Sequence, residues 1–322
     1  MGLRLGLLST AHINAKLVAG ARLADEVDVV AVASRDLARA NEQASSLEIP
    51  RALGSYEELL SDPDVDAVYI SLPNSMHVDW SVRALEAGKH VLCEKPLARS
   101  VEQVERAFDA ADGAGRVLAE AFMWRHHPQA KRLVELLPRV GEVRVVRAHF
   151  SFALDSLDPA SNIRLARELE GGALMDVGCY CVSAARLVAG EPEAVTGQGV
   201  FDEVDLRFTG TLSFESGVLA HFDCGVDTAD RAELEVAGSA GGLLLRDPFH
   251  SAEPVIEVRA ADGSVERVEA ERDNPYACEL RDFAAAVAGD RSPLLGREDA
   301  VGQARAIAAL YESAGSGARV RL

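Results

Sequence analysis

The sequence predicts an α/β fold with two domains, a doubly wound parallel sheet over residues 1–122 and an α+β domain over residues 123–322. In the first third, short apolar runs of strand type alternate with amphipathic helical stretches, which is typical of successive βαβ units. Beyond residue 200, strand-like alternation recurs between Gly and Asp turns, which indicates a broad antiparallel sheet with strands at residues 201–208, 211–214, 218–224, 232–237 and 255–260. A chain of 322 residues is long enough for two separate cores.

The charge balance limits the partners. There are 33 Lys and Arg against 51 Asp and Glu, a net charge of −18. This argues against nucleic acid and against an anionic membrane surface, because both attract basic patches. No signal-peptide pattern and no uncharged apolar run of membrane-spanning length is found.

The cysteines and histidines do not form a metal motif. The five cysteines are odd in number and include no C-x-x-C pair, so we expect reduced thiols in a cytoplasmic protein. Cys179 and Cys181 have no partners at metal-ligand spacing, and the side chains of adjacent His126 and His127 diverge. We therefore expect no metal.

The first predicted βαβ unit comprises a strand at residues 3–8, a helix from residue 13 to about 24 and a strand at residues 27–33. Of the glycines in the dinucleotide fingerprint, only Gly6 is present, with Ser9 and Ala11 replacing the later ones. Small residues still allow the backbone to approach a pyrophosphate, and the hydroxyls of Ser9 and Thr10 can join the donors at the helix start. A turn that binds no nucleotide is the alternative.

The end of the second strand favours NADP(H). A free ribose 2′-hydroxyl is usually bound by an acidic side chain, whereas a 2′-phosphate requires donors and positive charge. Here Ser34 and Arg35 follow the strand, and Arg39 lies one helical turn beyond Arg35. We interpret Asp36 as the N-cap of the next helix. A solvated helix face is the alternative for both arginines.

The strand and helix alternation then continues. Helices are predicted at residues 56–60, 78–87 and 101–114, and strands at 67–72, 90–92 and 117–119. Gly88 suits the left-handed position that ends a helix. The strand ends at Gly6, at Ser34, at Leu72 to Asn74 and at Glu94 to Pro96 should then line one crevice.

Lys95 is the most informative residue of this crevice. Glu94, Lys95 and Pro96 place an acid, an ammonium and a rigid turn at the end of an apolar strand. Proline disfavours the helical conformation at the residue before it, so Lys95 is held in extended or turn geometry. A held lysine is a candidate catalyst or anion anchor, and a surface lysine in an ordinary strand-to-helix turn is the alternative.

With these residues in place, the chain resembles the Gfo/Idh/MocA family of nicotinamide-dependent oxidoreductases over essentially its whole length. The combination of an E-K-P motif with a later G-G-x-L-x-D-x-G-x-H/Y motif is specific, although neither motif is specific alone. The matching segments are Gly6 to Ile13, Leu72 to His77, Glu94 to Leu97 and Gly171 to Tyr180.

The resemblance implies an N-terminal Rossmann domain that binds the cofactor and a C-terminal α+β domain with a large, mostly antiparallel sheet. It also implies that Lys95 lies beside the nicotinamide and the substrate, commonly with a cis bond to Pro96. In this family the open face of the second sheet commonly packs against another subunit, so we expect a homodimer or homotetramer.

Tyr180 distinguishes this chain within the family. Most members have histidine at that position, and tyrosine resembles the subgroup of dihydrodiol dehydrogenases, glucose-fructose oxidoreductase and certain sugar ketoreductases, which tend towards NADP. On a helix over residues 175–189, Asp176 and Tyr180 are four apart and share a face. A tyrosine hydroxyl ordinarily has a pKa of about 10, so a nearby ammonium such as Lys95 must favour the phenolate for it to act as a base.

The candidate residues follow from the motifs together with the resemblance. Catalytic candidates are Lys95, Tyr180 and Asp176. Cofactor-binding candidates are Gly6, Ser9, Thr10, Ala11, His12, Ile13, Ser34, Arg35, Arg39, Leu72, Pro73, Asn74, His77, Glu94, Lys95, Pro96, Trp124 and Arg125. Substrate-binding candidates are Lys95, Trp124, Phe152, Arg164, Asp176 and Tyr180, of which Arg164 lies in a polar loop at residues 155–167. Simple interdomain packing is the alternative for Trp124, with Arg125 solvated.

Three functional hypotheses remain. The first is an NADP-dependent oxidoreductase that acts on a sugar, a sugar derivative or a vicinal diol, with Tyr180 as the acid or base and Lys95 assisting. The second is a non-catalytic NADP-binding sensor or scaffold of the same fold, which the presence of both Lys95 and Tyr180 disfavours. The third is a sugar-binding protein without a cofactor, which the βαβ turn disfavours.

Overall fold

The computed structural model describes residues 2–159 and 162–322. The N-terminal sheet has six strands in this part of the chain, in the order β3-β2-β1-β4-β5-β6, and every pairing is parallel. The strands are β1 (Leu3–Leu8), β2 (Val27–Ala33), β3 (Arg51–Leu53), β4 (Ala67–Ile70), β5 (His90–Glu94) and β6 (Leu118–Ala121). The helices between them are α1 (Asn14–Ala21), α2 (Leu37–Leu47), α3 (Tyr56–Ser61), α4 (His77–Glu86) and α5 (Val101–Ala114). This confirms the predicted doubly wound sheet.

Side-chain caps fix where these helices begin. Ser55 accepts a hydrogen bond from the backbone N–H of Glu58, and Ser100 accepts one from that of Gln103, so each satisfies a donor that the helix itself cannot. Gly88 follows α4 with a φ of 80°, the left-handed conformation predicted for it.

The second sheet has nine strands among the described residues, in the order β14-β13-β12-β11-β7-β10-β9-β8-β15. Its pairings are antiparallel except for β7 with β10, so the sheet is mostly antiparallel, as expected. The strands are β7 (Val143–Ala153), β8 (Ala194–Phe201), β9 (Asp205–Ser213), β10 (Leu219–Gly225), β11 (Asp227–Gly238), β12 (Gly241–Leu245), β13 (Val255–Ala260), β14 (Val265–Glu269) and β15 (Val320–Arg321). The helices are α6 (Met123–His126), α7 (Pro128–Leu136), α8 (Cys179–Ala189), α9 (Pro275–Ala288) and α10 (Arg297–Ser316).

Several sequence-based boundaries in this region are wrong. A strand over residues 201–208 is predicted, but residues 202–204 form the turn between β8 and β9, closed by a 2.9 Å hydrogen bond from Asp202 N to Val204 O. Strands β8, β12, β14 and β15 are missing from the prediction, as is β3 of the first sheet. The predicted loop at residues 155–167 includes residues 160 and 161, which lie outside the described residues.

The described chain divides into two compact units. The first contains the chain up to His126 together with Asp273–Val301, and the second contains His127–Arg272 and Gly302–Leu322. Helix α9 therefore packs within the first unit. A Cβ on Gly20 of α1 would lie 2.6 Å from the Cβ of Tyr276, and Arg281 Nη2 donates to the Leu23 carbonyl at 2.7 Å.

The helical stretch Arg167–Ala189 is long and apolar enough, by length and composition, to count as a membrane-span candidate. However, 72% of its most apolar window is buried inside the protein. That burial is typical of a core helix, and α8 packs against β7 of the second sheet.

Candidate active site

The turn after β1 lies at the carboxyl end of its strand. Ser9 is buried and has a φ of 144°, a conformation that favours glycine. Thr10, Ala11, His12 and Ile13 lead from Ser9 into α1 and are partly or fully exposed. Because the first N–H groups of a helix attract anions, this accessible turn fits a pyrophosphate.

Gly6 lies inside β1, and packing accounts for its missing side chain. A Cβ at this position would lie 2.7 Å from Leu59 Cδ1 and 3.1 Å from Val65 Cγ1. Gly6 therefore allows α3 to approach the sheet closely, and its contact with a cofactor stays a prediction.

The residues predicted to bind the 2′-phosphate of the cofactor lie at the end of β2. Ser34 is buried and its Oγ accepts a hydrogen bond from Asp36 N at 3.2 Å, whereas Arg35 and Arg39 are exposed. Asp36 Oδ1 accepts from Ala38 N at 2.9 Å, which confirms Asp36 as the N-cap of α2. Its carboxylate thus already accepts from the helix. Among the described residues, the structure shows no partner for the guanidinium groups of Arg35 and Arg39, and such donors are suited to a phosphate.

Lys95 is half-buried at the end of β5, and its bond to Pro96 is cis, as the resemblance implies. His77 lies close by, with Nδ1 2.9 Å from Pro96 O and Nε2 2.8 Å from Leu72 O. Burial, followed by the Lys95 ammonium, lowers the pKa of His77. We therefore assign a neutral ring, which donates to one of the two carbonyls and joins the segments that follow β4 and β5.

Leu72 is buried, and Pro73 and Asn74 lead into a 3-10 turn, Asn74–Met76, ahead of α4. This segment follows β4, the parallel neighbour of β5, so it ends at the same sheet edge as Glu94. The structure thus brings Leu72, His77 and Pro96 together.

Two carboxyl groups fix the backbone on either side of Lys95. Tyr69 donates its hydroxyl to Glu94 Oε1, and Glu94 Oε2 accepts from Lys95 N at 3.3 Å. Burial, followed by the charge of Glu94, raises the pKa of Tyr69, so its hydroxyl remains a donor. Beyond Pro96, Leu97 N donates to buried Glu120 at 2.8 Å. The segment that carries Lys95 is therefore anchored at both ends.

A third carboxyl group is one that sequence reasoning missed. Glu279 of α9 is 1% exposed, and the structure shows no hydrogen-bond partner for its Oε1 among the described residues. Burial, followed by the charge of Glu94, raises its pKa well above the usual range. The Glu279 carboxyl group therefore favours its neutral form more than an exposed glutamate does. It lies far along the chain from Glu94, and no motif links the two.

Trp124 and Arg125 belong to α6. Trp124 is 1% exposed, and the Arg125 guanidinium lies 5.8 Å from its ring centroid and 3.4 Å from Asp299 Oδ1. Arg125 is thus paired within the first unit, in contrast to the solvated arginine of the alternative interpretation. The contact of either residue with a cofactor stays a prediction.

His126 should make stability depend on pH. Burial lowers its pKa to about 4, although Asp282 lies 3.6 Å from Nδ1 and opposes this shift. The native state then keeps His126 neutral while the unfolded chain binds a proton below pH ~6.5. The unfolding free energy should therefore fall by about 1–3 kcal/mol as the pH falls from ~6.5 towards ~4.

Urea denaturation at a series of pH values checks this for His126. His126→Gln should reduce the slope of the unfolding free energy against pH. Buried His77, whose pKa is also lowered, should account for part of the slope that remains. His221→Gln, which alters an exposed histidine, should leave the wild-type slope. A slope that His126→Gln does not change would exclude His126 as its source.

In the second unit, Asp176 and Arg164 form an ion pair. Arg164 Nε donates to Asp176 Oδ2 at 2.7 Å. Asp176 lies on a π-helical turn, Leu174–Gly178, that runs directly into α8 and Tyr180. The structure therefore brings together two predicted substrate-binding residues, with the Asp176 carboxylate directed to Arg164.

A buried carboxylate supports the start of this π-helical turn. Asp205 is 1% exposed and accepts hydrogen bonds from Leu174 N at 2.6 Å and from the Tyr311 hydroxyl at 2.7 Å. Gly172 has a φ of 122°, and a Cβ there would lie 2.1 Å from Asp205 Oδ1. The second glycine of the G-G motif is thus required both by its backbone conformation and by this close approach.

Tyr180 lies in an aromatic cluster. Its ring centroid is 5.3 Å from that of Phe150 and 5.4 Å from that of Phe249. Predicted Phe152 is half-buried two residues after Phe150 on β7 and so lies on the same face of the strand. Sequence reasoning missed Phe150, which the period of β7 would have indicated, and Phe249, which no pattern marks.

Comparison with known proteins places these motifs in a family. Residues 5–122 match the family model described as an oxidoreductase family with an NAD-binding Rossmann fold, and residues 128–244 match the Gfo/Idh/MocA C-terminal domain. D-xylose 1-dehydrogenase (NADP(+)) 2 of Haloferax volcanii is 42% identical over 98% of this chain and 99% of its own length. Trans-1,2-dihydrobenzene-1,2-diol dehydrogenase of Bos taurus is 36% identical over 78% of this chain and 76% of its own.

Solved structures agree with the sequence relatives. A 3-ketoreductase from Actinomadura kijaniata, in complex with NADP and TDP-benzene, superposes with a TM-score of 0.90 at 32% identity, covering 97% of this chain and 98% of its own. Aldose-aldose oxidoreductase from Caulobacter crescentus, complexed with glycerol, gives a TM-score of 0.91 at 27% identity over the full length of both chains. With the motifs and both domain matches in agreement, this chain belongs to the Gfo/Idh/MocA family of oxidoreductases.

Proposed function

We propose that the protein is an NADP-dependent oxidoreductase that acts on the carbinol or carbonyl carbon of a sugar, a sugar derivative or a vicinal diol. The observation that carries this proposal is the presence of Lys95 on an anchored segment together with Tyr180 in the second family motif. Relatives named as an NADP-dependent xylose dehydrogenase and a dihydrodiol dehydrogenase support the substrate class. Residues 1–122 would bind NADP, and residues 123–322 would bind the substrate and form the contact between subunits.

The cofactor fits residues of the first unit. The accessible turn from Thr10 to Ile13 suits the pyrophosphate, and Ser34, Arg35 and Arg39 suit the 2′-phosphate. When bound, NADP(H) supplies hydride exchange at nicotinamide C4. Lys95, Pro96 and Trp124 would border the nicotinamide.

Tyr180 would act as the acid or base. During oxidation its phenolate oxygen takes the proton of the substrate hydroxyl, and during reduction its hydroxyl returns a proton to the carbonyl oxygen. The Lys95 ammonium stabilises negative charge on both oxygens and donates a hydrogen bond to the substrate oxygen. Asp176 would act through Arg164, holding the guanidinium so that it can donate to another substrate oxygen.

Arg35→Ala tests the 2′-phosphate assignment. The substitution should weaken NADPH binding by about tenfold or more, because a charge-assisted contact to phosphate is lost. NADH, which lacks that phosphate, should bind nearly as before. Fluorescence titration with both nucleotides gives the two dissociation constants. Arg22→Ala, an exposed arginine paired with Glu48, is the matched control and should alter neither.

A cofactor and substrate screen separates the enzyme from a sensor. Quenching or a blue shift of NADPH fluorescence reports binding, and absorbance at ~340 nm then reports turnover with aldoses, ketosugars and vicinal diols. NADPH binding with turnover of at least one such substrate supports the proposal. Binding without turnover across all three classes favours a non-catalytic NADP-binding protein, and no binding removes the cofactor assignment.

We also propose that the second sheet forms the contact between copies in a homodimer or homotetramer. Large apolar side chains of its strands β8, β10 and β14 are exposed, namely Val200, Phe201, Leu219 and Val265. Light scattering measures the assembly directly, and a monomer at micromolar concentration would contradict this proposal.

A further inference from the structure

The turn after β1 holds a serine in a conformation that serine rarely adopts. Ser9 has a φ of 144°, and it occupies a position where the dinucleotide fingerprint commonly has glycine. A residue with a side chain is strained at such a positive φ and keeps it only where surrounding groups stabilise that backbone conformation. Hydrogen bonds from neighbouring side chains do this for Ser9.

Asn14 is fully buried and makes three hydrogen bonds around this turn. Its Nδ2 donates to Ser9 O and to Gln43 Oε1, both at 2.8 Å, and its Oδ1 accepts from Ser71 Oγ at 2.9 Å. Gln43 Nε2 in turn donates to Ala11 O at 3.2 Å. The orientation of the Asn14 amide is unique, since reversing it would set its oxygen against two acceptors.

Ser71 completes this network. Its single hydroxyl hydrogen is used by Asn14, so the 2.8 Å contact between Ser71 Oγ and Ser9 Oγ must be donated by Ser9. Ser9 Oγ also lies 3.1 Å from Ser71 O and accepts from Ala11 N at 3.2 Å. Every polar atom of the Ser9 and Asn14 side chains is thus bonded within the first unit.

The network sets the direction of backbone donors. A peptide group is planar, so its C=O and N–H point in opposite directions. The bond from Asn14 to Ser9 O therefore directs the N–H of Thr10 away from Asn14, and the bond from Gln43 to Ala11 O directs the N–H of His12 away from Gln43. Both donors belong to the turn assigned above to the pyrophosphate.

We propose that Asn14, Gln43 and Ser71 are positioning residues for the dinucleotide, which hold Ser9 in its left-handed backbone conformation and orient the Thr10 and His12 N–H groups toward the pyrophosphate. In this chain they do what glycines of the fingerprint do elsewhere. The inference rests on the proposed NADP site and deepens it.

Asn14→Ala in the full-length chain tests the proposal. Loss of the three hydrogen bonds should weaken the binding of both NADPH and NADH by about tenfold to hundredfold, because both nucleotides contain the pyrophosphate. Adding Ser9→Gly should recover most of this loss, since glycine adopts the required φ without support. Fluorescence titration gives the dissociation constants for the single and double variants, and calorimetry gives their melting temperatures.

Two further variants keep the test decisive. Gln43→Leu changes a half-buried side chain and should weaken the binding of both nucleotides by about threefold to tenfold. This variant still tests the proposal if Asn14→Ala fails to fold. Asn41→Ala, an exposed asparagine on the same helix as Gln43, should bind both nucleotides as the wild type does.

The outcomes separate this inference from the proposed function. If the wild type binds neither nucleotide, the cofactor assignment fails. If the wild type binds but folded Asn14→Ala and Gln43→Leu bind equally well, the positioning role is overturned. The positioning role would also be overturned if the folded Asn14→Ala, Ser9→Gly double variant bound the nucleotides no better than Asn14→Ala. That result would mean that Asn14→Ala weakens binding through general destabilisation, which Ser9→Gly does not reverse.

Discussion

Tyr180→Phe is expected to lower kcat by about a hundredfold to ten-thousandfold, the range over which a positioned acid or base accelerates proton transfer. Phenylalanine keeps the ring and its contacts with Phe150 and Phe249, so the fold of α8 should be retained. The dissociation constant for NADPH should stay within about twofold of the wild-type value, because only the proton-transferring oxygen is removed. Steady-state absorbance assays at saturating substrate measure kcat, and NADPH titration measures the dissociation constant.

Tyr56→Phe is the matched control for Tyr180→Phe. Tyr56 of α3 is buried against Trp80 of α4, and removing the Tyr56 hydroxyl should leave kcat unchanged. If Tyr180→Phe retained wild-type kcat with a substrate found in the screen, Tyr180 would not be the acid or base.

Lys95→Met should cause the second large loss, again about a hundredfold or more in kcat. Methionine has nearly the same length but lacks the ammonium, so charge stabilisation disappears while the anchored backbone between Glu94 and Leu97 can remain. The NADPH dissociation constant should change far less than kcat. Because Lys95 and Tyr180 would act on one oxygen, the double variant should be only slightly slower than either single variant.

Lys131→Met, which replaces an exposed lysine of α7, serves as the control for Lys95→Met and should retain full activity. Weakened NADPH affinity with an unchanged kcat in Lys95→Met would instead assign Lys95 to cofactor binding alone.

The N-terminal half of the fold could be predicted because its signals are local. Strands β1, β4 and β5 are short apolar runs, and turn or cap residues such as Asp36 and Gly88 mark where helices begin and end. Parallel strands that are buried on both faces appear in the sequence as nearly continuous apolar runs, so they can be recognised without knowing which strands they pair with.

The second sheet was less predictable for a physical reason. Strand β8 contains Gly197 and Gly199, which lower its strand signal, although pairing with β9 and packing stabilise it. The turn at residues 202–204 contains neither Gly nor Pro, so Asp202 is the only turn-forming residue in it and gives a weak signal that β8 ends there. Tertiary contacts therefore determine both the formation of β8 and the position of the turn that ends it.

The same distinction applies to the site. Motif residues such as Lys95, Asp176 and Tyr180 lie at fixed spacings and can be found from the sequence. Asn14, Gln43 and Ser71 lie on three different segments, and only folding brings their polar atoms within hydrogen-bond distance. Asp205 is similar, because its bond to Leu174 N joins β9 to a distant helix start.

The place of α9 in the first unit has a consequence for biosynthesis. A nascent chain translated as far as β6 has all six strands of the parallel sheet. It still lacks Tyr276, which packs against Gly20, and Arg281, which donates a hydrogen bond to Leu23 O. The amino-terminal unit can therefore reach its final packing only late in translation, after most of its partner unit has left the ribosome. A fragment cut at the end of β6 would expose this surface to water and to other chains.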